Sequence, residues 1–149
     1  MAKRSTFKFL FLAALTAFWI SSAPPGFYTG VAKLQAAPVP ENGVIVYQFH
    51  RRFRCEACYK LEASINEAIK NHFPEELEAG RLVFSVLDLD GEGSGQYEKK
   101  YNFFYNTVIV VDIENGKETR FKNLEEVWSL VEDKEAAVEY IRSEIAEYL

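Results

Sequence analysis

Apolar positions along this chain follow two different periods, and each change of period marks an element. Residues 44–49, "VIVYQF", form a short continuous run of β-branched and aromatic residues, the pattern of a strand buried on both faces. From Glu56 the spacing turns helical, with Ala57, Cys58, Leu61, Ile65, Ala68, Ile69 and Phe73 on one stripe and Pro74 ending it. "RLVFSVLDLD" (81–90) reads as a second strand, "GEGSG" as a loop, and residues 96–102 as one or two helical turns. Residues 107–121 read as a hairpin turning at Asn115-Gly116, a strong two-residue turn signal. Asn123 and Glu126 have the spacing of a capping box, which opens a short helix from Trp128 to Val131. A last helix over 134–149 carries Ala137, Val138, Ile141, Ile145 and Leu149 on one face. The order expected is β-α-β-(α)-β-β-α-α, an α/β domain.

The segment ahead of the first strand has a different character. Lys3, Arg4 and Lys8 precede an apolar stretch over 9–20, and small residues follow. That is the layout of a secretory signal, and it falls short of the roughly 20 apolar residues a spanning helix needs. Residues 1–23 are therefore expected to be a signal peptide. An uncleaved anchor is the alternative, because a cut after Ala23 would leave Pro24 next; a cut near Ala37 is a second option. Residues 24–42, with Pro24, Pro25, Pro38 and Pro40, read as a linker, and 43–149 as one folded domain. The expected location is exported, periplasmic or otherwise extracytoplasmic, with membrane attachment only if the signal is retained.

Composition agrees with a single core: 149 residues, 48% hydrophobic and 15% aromatic. The 17 Lys+Arg against 22 Asp+Glu give a net charge of −5, and three of the positive charges lie in the signal segment. So acidic a remainder argues against nucleic-acid binding through phosphate neutralisation.

The candidate chemistry lies in "HRRFRCEACYKLE" (50–62), which holds the only two cysteines, Cys55 and Cys58, at the first strand-to-helix junction. A Cys-x-x-Cys pair there, within this element order, resembles thioredoxin over most of residues 43–149. "RLVFSVLDLD" is similar to that family's third strand and "KKYNFFYNTVIVV" to the segment leading into its hairpin. Within that superfamily the chain most resembles the small subunit of nitrophenyl-compound nitroreductases (ArsF-like proteins), through "YQFHRRFRCEACYKLE", "EKKYNF" and "FKNLEEVWSLVEDKEAAVEYIRSEIAEYL". The resemblance implies a thioredoxin-like fold with a central mixed sheet flanked by helices. It also implies a protein redox partner, a larger reductase or a membrane dithiol transporter.

Physical chemistry orders the two thiols. Cys55 stands at a helix N-terminus, where free N–H groups and the helix dipole favour a thiolate, and Arg51, Arg52, Arg54 and His50 lie just upstream. Cys58, one turn in, is placed to attack a mixed disulfide formed at Cys55. The expectation is a redox-active Cys55–Cys58 disulfide with no separate cofactor. A purely structural disulfide would close too small a loop to stabilise the fold much. The rival class is a metal site, copper or iron–sulfur, using Cys55, Cys58 and His50. A closed zinc site wants about four ligands, and His72 is too far along the helix to contribute. A redox-inert docking module on the same fold is the third reading.

Three positions depart from the thioredoxin pattern. Glu56, inside the tetrapeptide, opposes thiolate formation; Gln48 stands where the family has a buried aspartate; and Thr107, counted from "KY", falls at the family's cis-proline facing the site. A non-proline there favours a trans peptide. Thr107 therefore joins Cys55 and Cys58 as a candidate site residue. The aromatic group Tyr97, Tyr101, Phe103, Phe104 and Tyr105 divides between core and an apolar patch beside the dithiol, and Trp128 reads as packing.

Overall fold

A computed structural model describes residues 39–149. The signal segment and residues 24–38 of the expected linker lie outside the described residues. The elements are β1 (Gly43–His50), α1 (Glu56–His72), α2 (Pro74–Glu78), β2 (Leu82–Asp88), α3 (Gly95–Tyr101), β3 (Thr107–Glu114), β4 (Lys117–Asn123), α4 (Val127–Leu130) and α5 (Lys134–Ala146).

The strands form one sheet in the order β2-β1-β3-β4. β1 runs parallel to β2, with Val46 opposite Phe84, and antiparallel to β3, with Val46 opposite Val110. β3 and β4 are joined by the Asn115-Gly116 turn, where both residues have positive φ (52° and 71°), as a type I′ turn requires. The result is the mixed, four-stranded sheet flanked by helices of the thioredoxin-like fold.

Period-two alternation divides the two faces. Val44, Val46, Val108 and Val110 pack with Leu61, Ile65 and Ile69 of α1 and Ile141 and Ile145 of α5. Ile45, Tyr47, Phe49, Ile109 and Val111 face the other way, onto Tyr101 of α3, Phe103 and Leu87. β1 is covered on both sides, which is why its apolar run is continuous. Gln48 shares the α1 face and is 1% exposed.

Four local expectations change. Pro74 ends α1 but also opens α2, sitting at its first helical position, where a missing N–H costs nothing. The Asn123–Glu126 capping box does not form. Asn123 ends β4, its side chain meets Thr107 and Glu125, and α4 begins after Glu126 with no side-chain cap. The last helix stops at Ala146, leaving Leu149 42% exposed; Asp133 caps its start by accepting from Ala136 N–H at 3.0 Å. At the other end, Glu41 and Asn42 accept hydrogen bonds from the N–H groups of Gly116 and Asn115 (2.7 and 3.0 Å), which ties the end of the arm to the hairpin turn.

Candidate functional site: a dithiol at the start of α1

β1 delivers the chain to the C-terminal edge of the sheet, and residues 51–55 turn it into α1. That turn is held by Asp90, beyond β2. Its carboxylate accepts from Arg52 N–H at 2.8 Å and from the Arg51 guanidinium at 3.2 Å. The Arg52 backbone N–H, followed by the Arg51 side chain, holds Asp90 below the usual carboxylate range. Arg51 also pairs with Glu98 of α3 at 2.7 Å, and Arg54 with Glu62 of α1. The arginines expected to bathe Cys55 in positive potential are thus engaged within the domain: Arg51 and Arg54 in ion pairs, Arg52 at Asp90. No interval pattern could reveal this, because Asp90 and Glu98 lie about forty residues away in sequence.

Cys55 is the N-cap of α1 and is exposed; Cys58 is 0% exposed, on the stripe of Leu61 and Ile65. Both are free thiols, with sulfurs 3.1 Å apart, within hydrogen-bond reach and well beyond the ~2.05 Å of a disulfide. The pair is electrostatically asymmetric. The Cys58 side chain, and then backbone N–H groups of the first helical turn, push the Cys55 thiol below its ordinary value. Burial, and then the hydrogen bond to Cys55, push the Cys58 thiol up. Hydrogen bonds, not the upstream arginines, therefore carry the activation of Cys55. Glu56 points away into solvent and pairs with Lys60 at 3.1 Å.

This asymmetry sets a pH window for the reduced protein. Thiolate forms at Cys55 below the ordinary thiol range and at Cys58 above it. Between those limits iodoacetamide should label Cys55 first, its rate rising with pH and levelling once Cys55 is ionised. Peptide mapping that finds both cysteines labelled at equal rates would contradict the arrangement.

Besides Cys55, three polar side chains reach Cys58. Gln48 Nε2 donates to its carbonyl oxygen at 2.8 Å, joined by an Arg54 guanidinium nitrogen at 3.5 Å. Gln48 thus anchors the first turn of α1 to β1; as an amide, it cannot exchange a proton with the thiols. The third is Asn106, whose Nδ2 lies 3.2 Å from Cys58 Sγ. Thr107 follows directly. It is 4% exposed and its hydroxyl bonds to Asn123, away from the sulfurs. No peptide bond among the described residues is cis, so the Asn106–Thr107 bond is trans. Asn106, the residue before Thr107, makes the contact with the sulfur.

The aromatic group divides as expected. Tyr101 and Phe103 are buried, with Tyr97 packed against them, whereas Phe104 and Tyr105 are 69% and 81% exposed. Phe104, Tyr105, Asn106 and Trp128 line a groove of ≈ 380 Å³ beside the dithiol. Trp128 packs on the core, as expected, and its remaining surface lines the groove wall. Phe53, 92% exposed in the turn before Cys55, is a further uncovered aromatic.

His50 Nδ1 lies 2.8 Å from the Arg51 carbonyl oxygen, and among the described residues no group of three His, Cys, Asp or Glu side chains is placed to hold a metal ion. His72, at the far end of α1, stays apart from the thiols.

The Cys-x-x-Cys dithiol thus lies at the start of the helix that follows a central strand of a thioredoxin-like fold. No family model matches the chain, and no curated protein matches it. Among solved structures it is similar to the thioredoxin of Fasciola hepatica (18% identity, 72% of this chain and 82% of that one, TM-score 0.43). It is similar too to the reduced thioredoxin pre-protein of Schistosoma mansoni (15% identity, 73% and 82%, TM-score 0.45). The oxidised thioredoxin of Plasmodium falciparum gives 18% identity over 72% and 86%, at a TM-score of 0.44.

Proposed function

We propose that the protein exchanges electrons with a dedicated protein partner through reversible formation of the Cys55–Cys58 disulfide. The observation that carries this reading is the thiol asymmetry: an exposed, activated Cys55 and a fully buried Cys58 with sulfurs 3.1 Å apart. The Cys55 thiolate attacks a partner disulfide, forming a mixed disulfide and releasing one partner thiolate. Cys58 then attacks Cys55 Sγ, closes the intramolecular disulfide and releases the second partner thiolate. Two electrons pass to the partner and two thiol protons are given up; run backwards, the same steps oxidise the partner. The groove of Phe104, Tyr105 and Trp128 suits the apolar flank of the partner's cysteine segment.

The test is a redox titration. Equilibration in thiol–disulfide buffers, followed by counting of free thiols, should give one reversible two-electron transition that disappears in Cys55→Ala and in Cys58→Ala. Thiols that never close into a disulfide across the buffer range would refute the proposal.

The resemblance supports two finer parts of the reading. The partner is a larger reductase, such as a nitroaromatic-reducing assembly, or a membrane dithiol transporter, and the protein works outside the cytoplasm. Cell fractionation should find it in the extracytoplasmic or membrane fraction. Full-length chain in the cytosol would overturn that part and leave the dithiol chemistry standing.

A further inference from the structure

Asn106 has two partners that matter, and together they fix which way its amide faces. Its Oδ1 accepts from the backbone N–H of Arg51 at 3.0 Å, and its Nδ2 lies 3.2 Å from Cys58 Sγ. A backbone N–H can only donate, so the carbonyl end of the amide must face Arg51. That leaves the NH₂ end, which has only donors, against the sulfur. Arg51 is itself held by Asp90, Glu98 and the Phe104 carbonyl oxygen (3.2, 2.7 and 3.4 Å), so the donor is held from both sides of the sheet edge.

The sulfur it faces needs such a donor. Cys58 is fully buried, and burial opposes its ionisation, yet the second step of exchange requires it as a thiolate. Around that sulfur the hydrogen-bonding side chains are Cys55 and Asn106; Gln48 and Arg54 reach only the Cys58 carbonyl oxygen. Once Cys55 is tied up in a mixed disulfide, it no longer has a proton to share. Asn106 is then the remaining side-chain donor among the described residues.

Resting on the dithiol reading above, we infer that Asn106 is a catalytic residue of the second step, donating from Nδ2 to the Cys58 thiolate as it closes the ring. In that step the Cys58–Cys55 sulfur bond forms and the bond from Cys55 to the partner sulfur breaks. The partner sulfur leaves as a thiolate carrying the electron pair. The Cys58 proton has gone to solvent beforehand, and no further reactant is needed.

The neutral probe 4,4′-dithiodipyridine separates the two steps on the full chain. Attack by Cys55 releases one thiopyridone; ring closure by Cys58 releases the second. A hydrogen bond to an ionised group is worth a factor of about ten or more, so Asn106→Ala should slow the second phase about tenfold relative to the first at neutral pH. Asn106→Asp keeps the acceptor for Arg51 N–H but puts a negative charge against the sulfur, and should slow it further. Raising the pH until Cys58 ionises unaided should return the second phase of Asn106→Ala toward the wild-type rate, which loosening of the loop alone would not do. A second phase unchanged in both variants, or both phases falling in equal proportion, overturns the role of Asn106 while leaving the dithiol intact. A wild-type protein that shows no second phase at all overturns the dithiol reading itself.

Discussion

In a Cys58→Ala protein, a mixed disulfide with the physiological partner accumulates on Cys55, and Cys55→Ala traps far less. The reason is positional. Cys55 caps α1 in solvent and is ionised below the ordinary thiol range, while Cys58 lies at 0% exposure and is pushed the other way. Exposure separates the trapped yields: Cys55 is open to a partner disulfide in either protein that keeps it, whereas Cys58, at 0% exposure, is not. Without Cys58 the covalent intermediate has no resolving thiol and persists until an outside thiol reaches it. Non-reducing electrophoresis of extracts, with the adduct lost on reduction, measures the effect. Equal trapping by the two variants would remove the asymmetric mechanism.

The second large effect lies at the opposite end of β1. Gly43 begins the strand with φ +151°, and a Cβ built there would stand 2.0 Å from the carbonyl oxygen of Arg81. That carbonyl accepts from Val44 N–H at 2.7 Å, where β1 first meets β2, so it cannot retreat without breaking the pairing. Gly43→Ala should therefore cost about 3–5 kcal/mol of stability, in the range of severe steric and backbone lesions. Gly80→Ala is the control. Its φ of +68° is also left-handed, but nothing lies within 4 Å of the added Cβ, so only backbone strain of about 1–2 kcal/mol is expected. Urea midpoints at matched slope read both. If the two variants lose the same stability, steric collision at Arg81 is not what keeps residue 43 a glycine.

Much of this architecture can be read along the chain. The continuous run of β1, the helical stripe of α1 and the Asn115-Gly116 turn all depend on residues within a few positions of one another. The order of the thiols is legible for the same reason. Where β1 stops and α1 starts decides that Cys55 lies at a helix end, and a three-residue step decides that Cys58 turns inward with Leu61. α2 is less legible, because proline ends one helix and begins another with the same lack of an N–H.

Other features depend on groups that meet only in the folded chain. Asn123 has the spacing of a helix cap, yet Thr107, at the start of β3, engages its side chain, and α4 starts uncapped. The arginine run before Cys55 looks like free positive charge, but Asp90 from beyond β2 and Glu98 from α3 close on it. Counting toward the site from the Lys-Tyr pair reaches Thr107, whereas the residue before it, Asn106, is the one that touches the sulfur. The sequence by itself determined most of the elements, the α/β class and which thiol is exposed and which buried, because periodicity and helix phase are local. Tertiary structure alone decided which polar side chain touches the buried sulfur and which carboxylates engage Arg51. Those contacts join residues 39 to 48 positions apart, and their distances depend on how the loops at the sheet edge are bent.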